Sequence, residues 1–436
     1  MMRKGHPDPL AVADNLRAET AIYNKTLLAN GIRVITETIP HVRSISLGIW
    51  LDVGSRDESE PQSGVTHFIE HMVFKGTKSR NASEIASYLE AVGGILNAFT
   101  SREQTCFYAR ILDQHLTKAM ELLFDLVRNP LFDKGDIEKE KKVVLEELKD
   151  IEDNPSDLVH DLFSNAIFGR HSLGRSIMGT RTTVNGMSKT RIVNYVDKHY
   201  RPNRMIVAAS GNLEHAQLVE LTKNYTNTMQ NGKIFSNRKE PGFFDTRKVH
   251  HRKIKQVHIC MGVPGKKFLH PSRHAIMLLN AILGGGMSSR LFQQLRENMG
   301  LVYSVYTYLD FFEDSSVFGF YLGTDKKNVR KAMSAIKDEL TKIRNNNLPG
   351  TELDKAKEQL KGSLMLGLES TSNRMNRLAK HELLTGRYID LDETIRAIDA
   401  VKGDDVIEAA RELLMTEKIS AAALGPIDKQ VFSVLE

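Results

Sequence analysis

In the run Val65-Thr66-His67-Phe68-Ile69-Glu70-His71-Met72, two histidines stand four residues apart with a glutamate just before the second. On a helix their imidazoles leave one face about one turn apart, so both reach a single metal ion. Glu70 follows His67 by three residues and lies near the same face. It can meet a water on that metal without being a ligand itself, which is the chemistry of metal-activated hydrolysis. A surface helix with two satisfied histidines has the same local sequence, so the motif needs a further ligand to become a site.

A second helical stretch, Asp136 to Ile151, offers one. Glu140, Val144, Glu147 and Ile151 recur along one stripe, two carboxylates among apolar neighbours. Its Glu138, Lys139, Lys141 and Lys142 read as a solvated side. Burying ionised carboxylates is costly unless a cation or strong donors compensate, and a metal with its histidines would do so.

The elements that must position these groups follow from periodicity. Strands are expected over Gly31 to Ile39 and along the alternation Ile45, Leu47, Ile49, Leu51, Val53. A helix over Val65 to Phe74 carries the histidines, and another covers Ala82 to Val92. Ile95 to Thr100 and Thr105 to Leu112 read as a hairpin, followed by a helix near Gln114 to Val127 and a strand at Met205 to Ser210. The order then repeats. Strands at Val257 to Val263, Val302 to Thr307 and Val317 to Thr324 accompany a helix at His274 to Leu283, and the chain ends in a strand near Ile419 to Leu424.

This repetition predicts an α+β protein of two homologous domains, each a mixed sheet with packed helices, arising from internal duplication. The segment after Phe132 resembles that after Pro349, and matching Ile137 to Leu353 places Glu140 opposite Ala356 and Glu147 opposite Ser363. The expected division is an N-terminal extension over 1–22, a first domain over 23–228, a linker over 229–246 and a second domain over 247–436. The second half lacks the metal groups: Ala275 to Leu283 holds no histidine or acid, and Ser363 stands for Glu147.

These residues resemble the family of pitrilysin, insulin-degrading enzyme and the β subunit of mitochondrial processing peptidase. His-x-x-Glu-His is the inverted zinc-peptidase motif, and Glu147 follows His71 by 76 residues, a spacing typical of the family's ligand glutamate. The likeness extends through HFIEHMVFKGT from His67, GGILNAFT from Gly93 and GGGMSSRLFQQLRENMGLVYSV from Gly284, and in length it fits the bacterial processing-protease-like members. It implies one Zn2+ per chain on His67, His71 and Glu147, with Glu70 as general base and Glu140 behind a ligating histidine. It further implies that Asn97 and Ala98 pair with substrate backbone, and that Arg296 and Tyr303 reach substrate from the metal-free domain, the tyrosine toward a developing oxyanion. The expected activity is endopeptidase cleavage of extended peptides or leader sequences in a closed chamber, assembled as a homodimer.

Composition is compatible with this and excludes little else. With 436 residues, 41% hydrophobic and 26% charged, the chain is an ordinary globular protein long enough for two cores. Its charge of +6 is scattered, and the cluster Arg247 to Lys255 lacks interleaved aromatics and reads as a solvated linker edge, so no nucleic-acid partner is expected. Cys106 and Cys260 sit in apolar runs and read as buried free thiols. Ala275 to Leu283 is far too short to span a bilayer, and no signal-peptide core precedes Glu19. The expectation is a cytoplasmic bacterial protein without a membrane partner, the mitochondrial matrix being the alternative.

Overall fold

Alternation in the strands explains how the sheets lie. In the computed structural model, which describes residues 22–232, 238–415 and 418–435, Ile45, Leu47, Ile49 and Leu51 all point into one core with Phe68, Ile69 and Met72. Their strand belongs to a sheet of β1 (Ile22–Leu27), β2 (Arg33–Thr38), β3 (Ser44–Leu51), β4 (Ile95–Thr100), β5 (Thr105–Leu112) and β6 (Met205–Gly211). The order across it is β1-β2-β6-β3-β5-β4, which leaves β4 at an edge.

The second sheet contains β7 (Arg247–His251), β8 (Gln256–Pro264), β9 (Val302–Phe311), β10 (Ser316–Asp325) and β11 (Ser420–Gly425), in the order β7-β11-β8-β10-β9. Set β1 aside and the two orders correspond strand for strand. Each sheet has one parallel pair at the same place, β2 with β6 and β7 with β11. The helices Lys134–Asp153 and Gly350–Gly367 begin 216 residues apart, as the sequence match requires.

The opposite face of each sheet is covered by a helix from the other domain. Ile35, Trp50, Cys106, Ile206 and Ala208 pack under Met375, Leu378 and Ala379 of the helix Thr371–Thr385. Reciprocally, Cys260, Val317, Tyr321 and Ala422 pack under Val159, Phe163 and Ile167 of the helix Pro155–Phe168. Between the core positions of β3, Ser46 and Trp50 are the residues that meet the helix Thr371–Thr385. Ser46 lies against Thr371 and Ser372 at 2.8 and 2.9 Å, and Glu382 receives Lys25 at 2.7 Å.

Several boundaries differ from expectation. A turn containing Gly31 before it and one at Pro40 and His41 after it trim the first expected strand to Arg33–Thr38, and β1 precedes it, its half-exposed pattern having hidden it. The basic segment from Arg247 is an edge strand, because it pairs with β11; Lys248 also reaches Asn165 at 2.8 Å. The counterpart helix runs Arg273–Gly284 and so includes His274. A short helical segment, Lys429–Leu435, follows the last strand. Both cysteines are buried and free. No helix among the described residues is long and apolar enough to cross a membrane. Residues 1–21 of the expected extension and 233–237 of the expected linker lie outside the described residues.

Candidate metal centre

The motif helix, Val65–Val73, starts where Gly64 adopts φ 89°. A side chain there would put Cβ 2.5 Å from the Met178 carbonyl, so glycine is required by both conformation and space. Buried Glu58 accepts the amides of Gly64 and Thr66 at 2.8 Å each, satisfying donors at the helix start. Val65, Phe68, Ile69 and Met72 face the core, which turns His67, Glu70 and His71 the other way.

The helix Lys134–Asp153 comes to meet them. Asp133 caps it by accepting from Gly135 at 2.7 Å, and Ile137, Glu140, Val144 and Leu148 are its buried stripe. Glu147 lies beside that stripe, its side chain 40% exposed. Its Oε2 stands 3.9 Å from His67 Nε2 and 3.5 Å from His71 Nε2. The three ligand atoms lie within 4.8 Å of one another. Donors at zinc-nitrogen and zinc-oxygen bond lengths on a tetrahedron are about 3.3 Å apart, so this trio needs little movement to close on an ion. Among the described residues no other group of histidine, cysteine and carboxylate side chains is so gathered.

Protonation favours the same use. Burial, with the His71 ring close by, pushes His67 down to about 4, so its ring is neutral at ordinary pH. His71 Nδ1 lies 2.9 Å from Glu140 Oε1. A carboxylate only accepts, so the proton sits on Nδ1 and Nε2 keeps its lone pair toward Glu147. The other oxygen of Glu140 takes Lys75 at 2.7 Å.

Burial raises the Glu70 carboxyl above its usual range, partly offset by Thr100 and His71 nearby. Its Oε2 is buried without a hydrogen-bond partner. An acceptor left open beside three converging ligand atoms fits a metal-bound water. The donor set of two imidazoles and one carboxylate suits zinc with a position to spare.

Asn97 and Ala98 lie on β4, the sheet edge packed against the motif helix. Asn97 Oδ1 accepts the Ala98 amide at 2.8 Å, so that edge donor is engaged locally. Arg296 and Tyr303 are in the second domain and are not gathered into this cluster. Arg296 lies 4.9 Å over the Phe292 ring, and Tyr303, 54% exposed, donates to Asp325 at 3.2 Å.

At the corresponding place in the second domain, a cleft of about 700 Å³ is lined by Met277, Asn280, Ala281 and Ser363. The first three repeat the helical spacing of His67, Glu70 and His71 without their chemistry.

Sequence reasoning missed a buried ion network beside the motif helix. Arg56 pairs with Glu103 at 2.5 Å and with Asp314 of the second domain at 2.5 Å. Arg238, within the expected linker, reaches Asp52 at 2.7 Å, Asp57 at 2.8 Å and Glu313 at 3.0 Å, while Arg204 meets Asp57 at 2.9 Å. Its partners are scattered along the chain, so no local pattern signals it. Lys75, inside the quoted motif run, was the one missed neighbour with a nearby signal: it follows His71 by four residues.

Comparison with known proteins agrees with this geometry. Residues 33–181 match the family described as Insulinase (Peptidase family M16), and residues 186–360 match the Peptidase M16 inactive domain. An uncharacterized zinc protease of Bacillus subtilis is 40% identical, covering 91% of this chain and 97% of its own. One from Mycobacterium leprae is 38% identical over 98% of this chain and 96% of its own. Among solved structures, a Helicobacter pylori protease superposes with a TM-score of 0.86 at 23% identity, covering 93% of this chain and 99% of that one. With identity at this level across nearly the whole length, and with the duplicated architecture, the chain belongs to peptidase family M16.

Proposed function

We propose that this protein is a zinc-dependent endopeptidase, acting on extended peptides or leader sequences, with one Zn2+ held by His67, His71 and Glu147. The observation that carries the reading is the convergence of those three ligand atoms within 4.8 Å beside the unpartnered oxygen of Glu70. The relatives named as zinc proteases support it.

When bound, the ion supplies Lewis acidity toward a carbonyl and lowers the pKa of its water. Glu70 takes the proton of the attacking water and delivers it to the leaving amine, a task suited to a carboxyl whose affinity for protons is raised by burial. Glu140 keeps His71 in the ligating tautomer. Substrate lies as an added strand on β4, where main-chain bonds hold it whatever its side chains are, and Asn97 releases the Ala98 amide to it. Arg296 and Tyr303 reach the substrate from the metal-free domain, and two copies of the chain form a homodimer around a closed chamber. In that role the tyrosine donates to the oxyanion and the arginine to a peptide carbonyl.

The test is Glu70→Gln. The variant keeps its zinc, measured by metal analysis, and loses cleavage of a fluorogenic peptide by at least about 100-fold, the scale of a general base. Near-normal turnover in the zinc-loaded variant would sink the assignment.

A further inference from the structure

Beside the metal-free cleft lies a second cavity of about 490 Å³, between the helices Arg273–Gly284, Gly350–Gly367 and Thr371–Thr385. Part of its wall is apolar, including Phe268, Met277, Phe311, Leu360, Leu364 and Ile398. Its charged and titratable lining is basic throughout: Arg273, Arg377, Lys380, His274 and His381, with no carboxylate.

The two arginines have no acid bonded to them, whereas Lys380 acts on the buried carboxyl of Asp310. The Arg273 guanidinium lies 4.2 Å over the Phe268 ring, 3.4 Å from the Phe268 carbonyl and 3.0 Å from His274 Nε2, with no acid bonded to it. Arg377 donates to the Ile389 carbonyl at 2.6 Å. His381 Nδ1 is buried and has no hydrogen-bond partner. The acid whose charge acts on Arg273, His274 and His381 is Glu393, and it already accepts from Arg387 at 2.9 and 2.6 Å. Burial and neighbouring cations accordingly lower the pKa of Arg273, hold His274 near 4 and hold His381 near 3. Both histidines are therefore neutral at ordinary pH, and the partly desolvated guanidiniums of Arg273 and Arg377, with no acid bonded to them, make the cavity suited to an anion.

We propose that this cavity binds the free C-terminal carboxylate of a peptide ending in an apolar residue. Arg273, with the His381 ring beside it, receives the carboxylate, and the Phe268–Met277–Phe311 wall receives the terminal side chain. A planar guanidinium matches a carboxylate in a two-point contact, and the apolar wall suits a ligand with one charge next to an apolar group better than a bare inorganic anion. The cavity shares Met277, Phe311, Leu360 and Ser363 with the adjoining cleft, so a peptide end seated here continues into it. The choice of a peptide rests on the peptidase reading above; the unneutralised arginines do not.

The test uses the zinc-loaded full chain carrying Glu70→Gln, with calorimetric titration of an acetylated tripeptide ending in phenylalanine, as free acid and as C-terminal amide. The acid is expected to bind at least about tenfold more tightly, the scale of a charge-assisted pair. Adding Arg273→Gln is expected to abolish the preference, and Arg273→Lys to keep part of it. Should Arg273→Gln fail to fold, judged by its melting curve, His381→Leu takes its place with the same expectation of a weakened preference. Equal affinity for acid and amide overturns the proposal, as does a preference that survives Arg273→Gln, since the acid would then be held elsewhere, for instance on the metal. Octanoate binding as tightly as the peptide acid overturns the peptide assignment. Because no turnover is read, failure here is distinct from failure of wild-type protein to cleave a peptide.

Discussion

Glu140 is almost fully buried, and it touches both the imidazole of His71 and the ammonium of Lys75. Such a carboxylate acts on the metal through the ring it holds, by setting the tautomer and the direction of Nε2. Glu140→Ala is expected to weaken zinc binding by about 10- to 100-fold, the usual effect of losing a partner behind a ligating histidine. Competition against a chromophoric chelator reads this directly, and unchanged affinity would show that His71 needs no such support. The residues of this centre are the most legible part of the sequence, because helical spacing is a local property. His67, Glu70 and His71 share a face by virtue of their numbering alone, as do Glu140 and Glu147. That the two faces meet required the family spacing, since nothing local fixes how two helices pack.

Elements show the opposite balance. The strand-forming runs around β4, β5, β8 and β10 declare themselves by alternation and apolar content, and their observed ranges lie within a few residues of expectation. What holds those elements to one another is not periodic. Arg56 and Asp314 are 258 residues apart, and only the folded chain makes them neighbours. The stretch expected to be a solvated linker accordingly contains Arg238, whose side chain is 6% exposed and pairs with three acids. Removing one member of a buried network leaves the others uncompensated. Arg238→Met is therefore expected to destabilise the protein by about 3–5 kcal/mol in urea unfolding. A loss below about 1 kcal/mol, typical of an exposed pair, would mean that water already screens these charges.

At the scale of the whole molecule, duplication was readable from the order of elements, whereas the exchange of helices between domains was not. An amphipathic helix states that it has an apolar face but not which sheet receives it. The consequence is that neither half is complete. A fragment ending near residue 240 keeps every metal-ligating residue but lacks the helix Thr371–Thr385, leaving Ile35, Trp50 and Ile206 bare. That fragment is expected to have no peptidase activity and to bind a hydrophobic dye strongly, with co-expression of the second half restoring the peptidase activity proposed for the intact chain. An active isolated first half would refute this account.

The same helix exchange also sets a timetable for synthesis. The first sheet receives its last strand at Gly211, but its outer face waits for a helix that ends at Thr385. At ordinary translation speeds the ribosome needs roughly 10–35 s to make the intervening stretch. Throughout that interval the nascent chain carries an uncovered apolar surface, so its passage off the ribosome depends on whatever shields that surface until the late helix arrives.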